Sequence, residues 1–441
     1  MSKIGLINSL NTIRQDASTK YQNSIPEITE QTSIEQLANP ILQDSELYNE
    51  FCNALVQRIV YTQVQSKVYN NPLKVLEGDN LPLGYLGQEI FINPAEGRDY
   101  NINDFAGLLK KYEADVKVQY QELNFDKQYP VTVIRQSLKK AFKSFADLES
   151  FITGYTNSLY NGLYIDEYNN TKGLVTKAYL SNAVQIEKIE APTTKELAED
   201  FVEKARTLFL NFQTPTPNYN AWVKVGGYGR SIVTFTNPED IVFLVRNDLR
   251  SKLDVKVLAE SFNMDKSTLL GNILPVNDFT IYDSKGHIKF DGSNIYGIIA
   301  DKSWFRIKTQ DNYMESFINA NNRSINYYLN AIKMFNYSFF ANAVVFASKE
   351  PELPINSLDF NAKTIEIEKT GDTEGLDITV NPVNATTPKI TYASDNEAVF
   401  TVLADAENDR HCTVTATGAG TANLTATAGN VTTKVQITVK A

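Results

Sequence analysis

The sequence predicts an α+β protein that carries a separate, small all-β module at its C-terminus. Composition changes near Pro354: the stretch 354–441 holds seventeen Thr but only three aromatic residues, whereas the whole chain has 23 Phe and 23 Tyr. Upstream, apolar residues recur at three- and four-residue spacing in some stretches and alternate in others, which predicts both helices and strands. A chain of 441 residues also exceeds one ordinary core, so we expect two or three domains.

Residues 1–43 are polar and rich in Asn, Gln, Ser and Thr. Because Pro26 and Pro40 interrupt any long helix, we expect an extended N-terminal arm with short helical pieces. A helix should follow from about Ser45 to Gln65. Its apolar positions share one helical face: Leu47, Phe51, Leu55, Ile59 and Val60.

Turn-forming residues dominate the stretch 67–133. Short extended pieces such as Tyr85–Ile92 lie between the turns, and Val116, Val118 and Tyr120 alternate with polar residues as in a strand. A segment so rich in turns buries little surface by itself. We therefore expect a long β-hairpin arm that needs a partner surface.

A long helix is predicted from Ser144, because Ser144 and Asp147 match the spacing of a capping box and a helical apolar stripe follows them. We expect this helix to break at Asn169-Asn170, with a further helical piece to about Ser181. Most of the stripe should form a core face.

The stretch of about 194–348 predicts an α/β centre. An amphipathic helix from Pro192 to about Asn211 opens it, and Asp240–Val245 has the continuous apolar character of a strand buried on both faces. The other expected elements are a helix and two strands: Asp254–Ser261, Tyr296–Ala300 and Trp304–Lys308.

The tail predicts a small β-sandwich, because Thr and Val alternate with period two between Gly and Asn turns. Seven short strands are expected: Thr364–Ile367, Asp377–Val380, Ile390–Ala393, Val399–Val402, Thr413–Thr417, Ala422–Thr427 and Thr433–Val439.

Catalytic chemistry finds little support in the sequence. The net charge of −10 gives no electrostatic reason to bind nucleic acid. Two cysteines cannot form a disulfide framework, and the two histidines, His287 and His411, lie in different domains, which argues against a multi-His metal site or a His-dependent triad. The glycine-rich run Gly226–Arg230 lacks the pattern of a phosphate-binding loop. We predict no enzyme activity, no catalytic residue, no metal ligand and no cofactor.

No signal-peptide core and no run of about 18 apolar residues is present, so we expect folding in a reducing cytoplasm without a membrane segment. A large chain with a polar arm, a long β excursion and no catalytic motif is typical of a protein that contacts other copies of itself.

Short sequence strings carry a resemblance to a known family. They are Asn71–Lys74, Leu81–Gly84, Gln88–Ile90, Asp254–Met264, Leu270–Asn272, Asp301–Phe305, Asn326–Tyr328 and Phe340–Val344. In this order and spacing they resemble the major capsid proteins of phi-29-like short-tailed phages. The tail is similar to bacterial Ig-like domains of group 2, on the strings Val383–Thr387, Thr391–Asp395, Val414–Gly418 and Gly420–Gly429.

The resemblance implies the Hong Kong 97-type capsid fold, which has an N-terminal arm, an extended loop (E-loop), a peripheral (P) domain with a long spine helix, and an axial (A) domain. In this chain the arm would be residues 1–43 and the capsid core 44–353. Within the core, the E-loop would lie at about 67–133, the spine helix would start at about 144, and the A-domain would cover about 194–348. The Ig-like domain would be residues 354–441. The start of the E-loop supplies the candidate assembly residues: Asn71, Pro72, Leu73, Lys74, Leu81, Pro82 and Gly84.

The resemblance also implies a function. Copies of the chain would form hexamers and pentamers of an icosahedral shell around double-stranded DNA, assembled in the host bacterial cytoplasm. A scaffolding protein and a portal would be further partners, and the packaged DNA would be held without sequence-specific binding. The E-loop (Val68–Tyr129), the N-arm (Ser2–Gln43) and the tyrosine-rich edges of the long helix would contact neighbouring subunits. Two alternatives stay open: a virion or cell-surface binding module whose Ig-like domain contacts host glycans, and an encapsulin-like compartment shell.

Overall fold

The computed structural model describes residues 3–62, 69–82, 87–99, 110–226, 231–251, 273–283, 285–321, 323–386, 389–406 and 408–440. Within these ranges the helices are α1 (Lys3–Asp16), α2 (Thr19–Ser24), α3 (Ile34–Gln43), α4 (Ser45–Thr62), α5 (Arg135–Ala141), α6 (Phe145–Leu180), α7 (Lys195–Phe212), α8 (Trp222–Val225) and α9 (Asn247–Arg250). Three short 3-10 helices are Pro72–Leu76, Pro238–Asp240 and Lys302–Trp304.

The strands of the core are β1 (Gly87–Ile92), β2 (Val116–Gln121), β3 (Phe125–Ile134), β4 (Gln185–Lys188), β5 (Ile241–Arg246), β6 (Ile273–Val276), β7 (Ile281–Tyr282), β8 (Ile288–Phe290), β9 (Ile295–Asp301), β10 (Phe305–Asn319), β11 (Ser324–Tyr337) and β12 (Ala343–Ala347). Those of the tail are β13 (Ser357–Phe360), β14 (Thr364–Ile367), β15 (Thr373–Asn381), β16 (Thr391–Ser394), β17 (Phe400–Ala404), β18 (His411–Ala416), β19 (Gly420–Ala428) and β20 (Val431–Val439).

The chain forms two compact units, each assembled from several segments. The first comprises residues 1–88, 120–171 and 305–336, and it holds α1–α5, most of α6 and a three-stranded sheet of order β10-β11-β3. β11 pairs antiparallel with β3, from Ser324 opposite Ile134 to Lys333 opposite Phe125. The strand β3, predicted as part of the E-loop, therefore belongs to a sheet completed by residues almost 200 positions later.

The stretch 1–43 was predicted as an extended arm with short helical pieces. Helices are present, but they make up most of the stretch, which corrects the expectation of an extended conformation. Leu6, Leu10 and Ile13 are buried, and their spacing places them along one side of α1. Arg14 Nε donates to Ile25 O at 2.7 Å, which ties α1 to the segment after α2. Pro40 lies inside α3 rather than ending it. Burial of apolar side chains within the unit outweighs the polar composition that suggested an extended conformation.

The long helix α6 runs without interruption for 36 residues. Its predicted start is confirmed: Ser144 Oγ accepts from Asp147 N at 3.1 Å. The break expected at Asn169-Asn170 is wrong. Asn170 Nδ2 donates to Asp166 O at 2.8 Å, so this polar side chain bonds to the carbonyl of its own helix instead of opening it.

The second unit comprises residues 89–119, 172–304 and 337–441. Its centre is a five-stranded mixed sheet of order β4-β12-β9-β5-β6, in which the pairs β4–β12 and β5–β6 are parallel and the two pairs involving β9 are antiparallel. The first five residues of β5 are buried, as predicted for a strand covered on both faces. Helix α7 packs on this sheet through Phe201, whose ring lies 4.7 Å from that of Phe346.

The prediction for the centre of the chain was partly right. The strands predicted at Tyr296–Ala300 and Asp240–Val245 are β9 and β5, each shifted by a residue or so. The strand predicted at Trp304–Lys308 extends much further, because β10 continues to Asn319. The predicted helix Asp254–Ser261, and the resemblance strings Asp254–Met264 and Leu270–Asn272, lie outside the described residues.

The tail forms two four-stranded sheets, of order β13-β15-β18-β17 and β14-β20-β19-β16. Their facing sides share buried side chains, among them Phe400, Val414 and Leu424. The predicted strands are confirmed to within a few residues, and one strand was missed: β13, which pairs with β15. These two packed sheets are the Ig-like sandwich predicted from the Thr and Val alternation.

Candidate functional site

The candidate assembly segment begins with a short 3-10 helix. Asn71 Oδ1 accepts from Leu73 N at 2.9 Å and so caps the helix Pro72–Leu76 at its start. Pro72 occupies a first-turn position, where its missing N–H removes no helical hydrogen bond. The turn ends where Glu77 N donates to Lys74 O at 3.1 Å. These residue types therefore fix the local conformation without any partner.

The predicted assembly residues divide into a buried and an accessible group. Leu73 and Leu81 are buried within their own unit, and Asn71 is also buried. Lys74 and Pro82 are exposed. Gly84 lies outside the described residues. A role of this segment in subunit contacts thus stays a prediction. Within its described part, Lys74 and Pro82 share the exposed surface with Val75 and with residues 78–80.

The segment is attached to the outer edge of β10. Gly78 N donates to Ile307 O at 2.9 Å, and Leu81 N donates to Thr309 O at 2.8 Å. Further along, Gln310 Nε2 donates to Pro82 O at 3.3 Å. These bonds satisfy backbone groups that an edge strand would otherwise leave open.

A buried ion cluster holds the same segment from beneath. Lys333 is fully buried on β11, and its Nζ lies 2.5 Å from Glu167 Oε1 on α6 and 3.1 Å from Glu77 Oε1. Lys74 pairs with Glu77 and lies 3.8 Å from Glu167, while Thr309 Oγ1 donates to Glu77. We call this group (Lys74, Glu77, Glu167, Thr309 and Lys333) the ion cluster. The fully buried Lys333 and the half-exposed Lys74 face two carboxylates, so the charges of the cluster balance.

The pKa values around the cluster follow from its geometry. Burial acts to raise the pKa of Glu77, but the charge of Lys333 and the hydrogen bonds from Lys74 and Thr309 outweigh it, and the pKa is lowered. Burial likewise acts to lower the pKa of Lys74, but Glu167 and Glu77 raise it. Both groups are therefore held in their charged forms.

Sequence reasoning missed the ion cluster. Its members are up to 259 positions apart, and no local pattern joins them. One signal was available in the sequence: Lys333 lies within the aromatic-rich stretch Tyr327–Phe335, and a buried strand would not carry an unpaired charge.

Strands β1 and β2 form a two-stranded ribbon with two chemically distinct faces. One face is bound to the rest of its own chain. Ser338 Oγ donates to Glu89 Oε1 at 2.7 Å, the ring of Phe91 lies 5.7 Å from that of Phe340, and Phe339 N donates to Gln119 Oε1 at 2.8 Å.

The opposite face of this ribbon is apolar and exposed. Successive residues of a strand point to opposite sides, so the residues between the bound ones face away from the chain. They are Ile90, Ile92, Val116, Val118 and Tyr120, with exposed fractions of 56%, 59%, 48%, 37% and 77%. We call these five residues the outer ribbon face. A contiguous exposed apolar surface of this kind marks a place of contact with another molecule.

The tyrosines of α6 form a third feature of interest. Tyr160 and Tyr164 lie one helical turn apart, with ring centroids separated by 6.0 Å, and both are half-buried. Burial raises the pKa of Tyr160 to about 12, so its hydroxyl stays protonated. The prediction that this tyrosine-rich edge joins subunit contacts remains untested.

The described residues contain no group of three His, Cys, Asp or Glu side chains that could hold a metal ion. His287 Nδ1 lies 3.2 Å from Asp283, and His411 Nδ1 lies 2.8 Å from Asp377. Burial raises the pKa of Cys412 to about 12, which keeps this thiol protonated and unreactive. Among the described helices, none is long and apolar enough to cross a membrane.

Comparison with known proteins agrees with these features. Residues 10–347 match the family model of the Phi29-like phage major capsid protein, and residues 359–439 match that of the bacterial Ig-like domain (group 2). The major capsid protein of Bacillus phage B103 is 28% identical over 412 residues, covering 90% of this chain and 87% of the relative. The major capsid protein of Streptococcus phage Cp-1 is 28% identical over 356 residues, covering 77% of this chain and 93% of the relative.

A solved structure supports the fold. The capsid structure of Staphylococcus phage Andhra superposes with a TM-score of 0.53 at 15% identity, covering 64% of this chain and 86% of that one. The core therefore has a capsid fold, and the relatives are structural shell proteins rather than enzymes. Since the family model spans most of the chain, the protein belongs to the Phi29-like phage major capsid protein family and carries a group 2 bacterial Ig-like domain at its C-terminus.

Proposed function

We propose that this capsid protein assembles into hexamers and pentamers that close into an icosahedral shell around double-stranded DNA. The single observation that carries the proposal is the outer ribbon face, which exposes five apolar side chains while the reverse face is bound to its own chain. A ring of identical subunits needs two different, complementary surfaces on each copy. The ribbon provides one of them, and it would lie across an adjacent subunit as the E-loop.

The other parts of the Hong Kong 97-type arrangement follow from the same proposal. Helix α6 would be the spine helix, the unit around β10, β11 and β3 would contain the P-domain, and the five-stranded sheet would form the A-domain. The helices α1–α3 would contact a neighbouring subunit through their polar faces, because most of their described apolar side chains are already buried. The Ig-like domain would project outward from the shell.

Packaged DNA, a scaffolding protein and a portal are the other proposed partners, on the grounds of net charge and family membership. A net charge of −10 suits a shell lining that holds packaged DNA without adsorbing it. A scaffolding protein and a portal would act in assembly in the bacterial cytoplasm.

The experiment that tests this proposal is electron microscopy of the full-length protein expressed with and without its scaffolding partner. We expect closed shells or hexameric capsomers. In the double variant Ile90→Asp/Val118→Asp, two charges would enter the subunit contact, so shell yield should fall at least tenfold while the subunit stays folded.

The control is Leu403→Asp, which places one negative charge on a more exposed apolar residue of the Ig-like domain. This control should assemble normally. Shells formed in normal yield by the ribbon variant would contradict the role of the outer ribbon face. A wild-type protein that stays monomeric even with scaffold would overturn the assembly proposal as a whole.

A further inference from the structure

The last backbone carbonyl groups of the long helix α6 have no hydrogen-bond donor within the helix and need one from elsewhere. Asn182 has a φ of +49°, a left-handed conformation that Asn tolerates better than most residues. Ala183 N donates to Ala178 O at 2.8 Å and Asn182 N donates to Tyr179 O at 2.9 Å, which is the Schellman arrangement. These two bonds occupy two of the last carbonyls, and the carbonyl of Ser181 remains to be satisfied.

The Ig-like domain supplies that missing partner. Asn384, in the loop between β15 and β16, donates from its side-chain amide to Ser181 O. In return, Asn182 Nδ2 donates to Asn384 O at 2.8 Å. The loop of the Ig-like domain and the end of α6 are therefore joined by a reciprocal pair of hydrogen bonds, each made by an asparagine side chain to a backbone carbonyl.

A second attachment lies next to the first. Leu353, in the connection between the core and the Ig-like domain, donates from its backbone N to Thr386 Oγ1 at 2.8 Å, and its carbonyl accepts from Thr386 N at 3.0 Å. Behind the loop, Arg410 donates to Val383 O at 2.7 Å and keeps it in place. The connection is thus folded back onto the same loop that meets the helix.

The core side of this contact is also fixed. Lys224 Nζ donates to Asn182 Oδ1 at 2.8 Å and to Val184 O at 2.9 Å. A lysine at the C-terminal end of a helix also complements the negative end of the helix dipole. Asn182 therefore has both ends of its side chain engaged, one with the core and one with the Ig-like domain.

We propose that the Ig-like domain is a fixed part of each subunit, docked by the loop 382–386 onto the C-terminal end of α6, rather than a module on a flexible tether. We call the contacts of Ser181, Asn182, Leu353, Asn384 and Thr386 the domain clamp. The connection between β12 and β13 comprises residues 348–356. A free chain of this length would let the position of the domain vary by on the order of 15–18 Å. The clamp removes this freedom, so every copy presents the same face of the domain in the same direction, whatever larger assembly it joins.

The proposal is tested by a distance measurement between two spin labels in the full chain, by double electron–electron resonance. One label is placed at Leu210→Cys on α7 and the other at Leu403→Cys on β17, because both side chains are highly exposed. The native Cys52 and Cys412 are buried and should stay unlabelled. In the otherwise unchanged protein we expect one narrow distance distribution.

The clamp is then weakened by Asn384→Ala/Thr386→Val, which removes the side-chain bonds to Ser181 and Leu353 while leaving the backbone intact. The distribution should become at least about twice as wide, towards that of a free linker. The control Asn423→Ala removes a comparable amide bond, the one from Asn423 Nδ2 to Asp395 Oδ2, and should leave the width unchanged.

Each outcome decides the matter. A broad distribution in the protein with an intact clamp would overturn the proposal, and so would a narrow distribution that the clamp variant leaves unchanged. Broadening in the clamp variant and not in the control supports it. Because the measurement is made on the unassembled subunit, a failure of shell assembly would not affect its result.

Discussion

Replacing Lys333 with Met tests whether the ion cluster stabilises the unit that carries the candidate assembly segment. The Lys333 side chain is fully buried, and Met has a similar length without the charge. In Lys333→Met, Glu167 loses the partner at 2.5 Å, and Lys74 at 3.8 Å is the nearest cation left to it among the described residues. Glu77 keeps Lys74 and Thr309. The main effect is therefore one buried, poorly compensated carboxylate.

The magnitude follows from breaking a buried ion pair on one side only. Removing one partner of such a pair costs about 3–5 kcal/mol, because the other charge stays buried. For a unit of this size, that should lower the midpoint of thermal unfolding by on the order of 10 °C. The control Lys74→Met removes a half-exposed cation, so it should lower the free energy of unfolding by no more than about 1 kcal/mol.

The dependence on pH gives a second, independent readout. In the wild-type protein the pKa of Glu77 is lowered, so its contribution to stability is present above the unfolded value and is lost as pH falls through the folded pKa. In the variant, Glu77 loses the charge of Lys333, so less of this contribution remains to be lost on acidification. The difference in stability between the two proteins should therefore be full at pH 7 and should narrow once pH falls below the ordinary pKa of a glutamate, towards about pH 3.

The assay is calorimetric or denaturant-induced unfolding of both proteins across this pH range. The double variant Lys333→Met/Glu167→Gln should recover much of the lost stability at pH 7, since it removes the unpaired charge as well. A loss below about 1 kcal/mol in the single variant, or a loss that does not change with pH, would refute the account of the ion cluster.

Two further predictions concern elements that position the core. Ser144→Ala should reduce stability by about 1 kcal/mol, since Ser144 Oγ accepts from Asp147 N at the start of α6, and chemical denaturation would measure the loss; an unchanged midpoint would show that the cap is dispensable. Gly297→Ala should lower the yield of folded protein and its unfolding temperature, because a Cβ there would meet Leu244 O at 2.9 Å within the five-stranded sheet. A variant as stable as the wild type would contradict the close contact between β9 and β5 at this position.

Local patterns in the sequence were sufficient for those parts of the fold whose causes are local. The strands of the Ig-like domain follow from period-two alternation, and the start of α6 follows from the pair Ser144 and Asp147. Part of the outer ribbon face could also be predicted, because Val116, Val118 and Tyr120 alternate with polar residues. They lie in a segment that is too rich in turns to bury them.

The misses have physical causes of two kinds. In residues 1–43 the polar composition hid the helical spacing of Leu6, Leu10 and Ile13, and tertiary burial decided the outcome. At Asn170, a side-chain bond to Asp166 O within the helix replaced the expected break. In the ion cluster, Lys333 meets Glu77 from 256 positions away, and in the domain clamp Asn384 meets Ser181 from 203 positions away. No local pattern in one sequence encodes such pairs.

The outer ribbon face also limits how long a free subunit remains soluble. Two adjacent strands that expose alternating Ile and Val side chains are a template on which like chains can stack in an uncontrolled way. In the proposed assembly, each newly made copy would have to cover this surface before it stacks on another copy. Slow assembly should then appear first as precipitate.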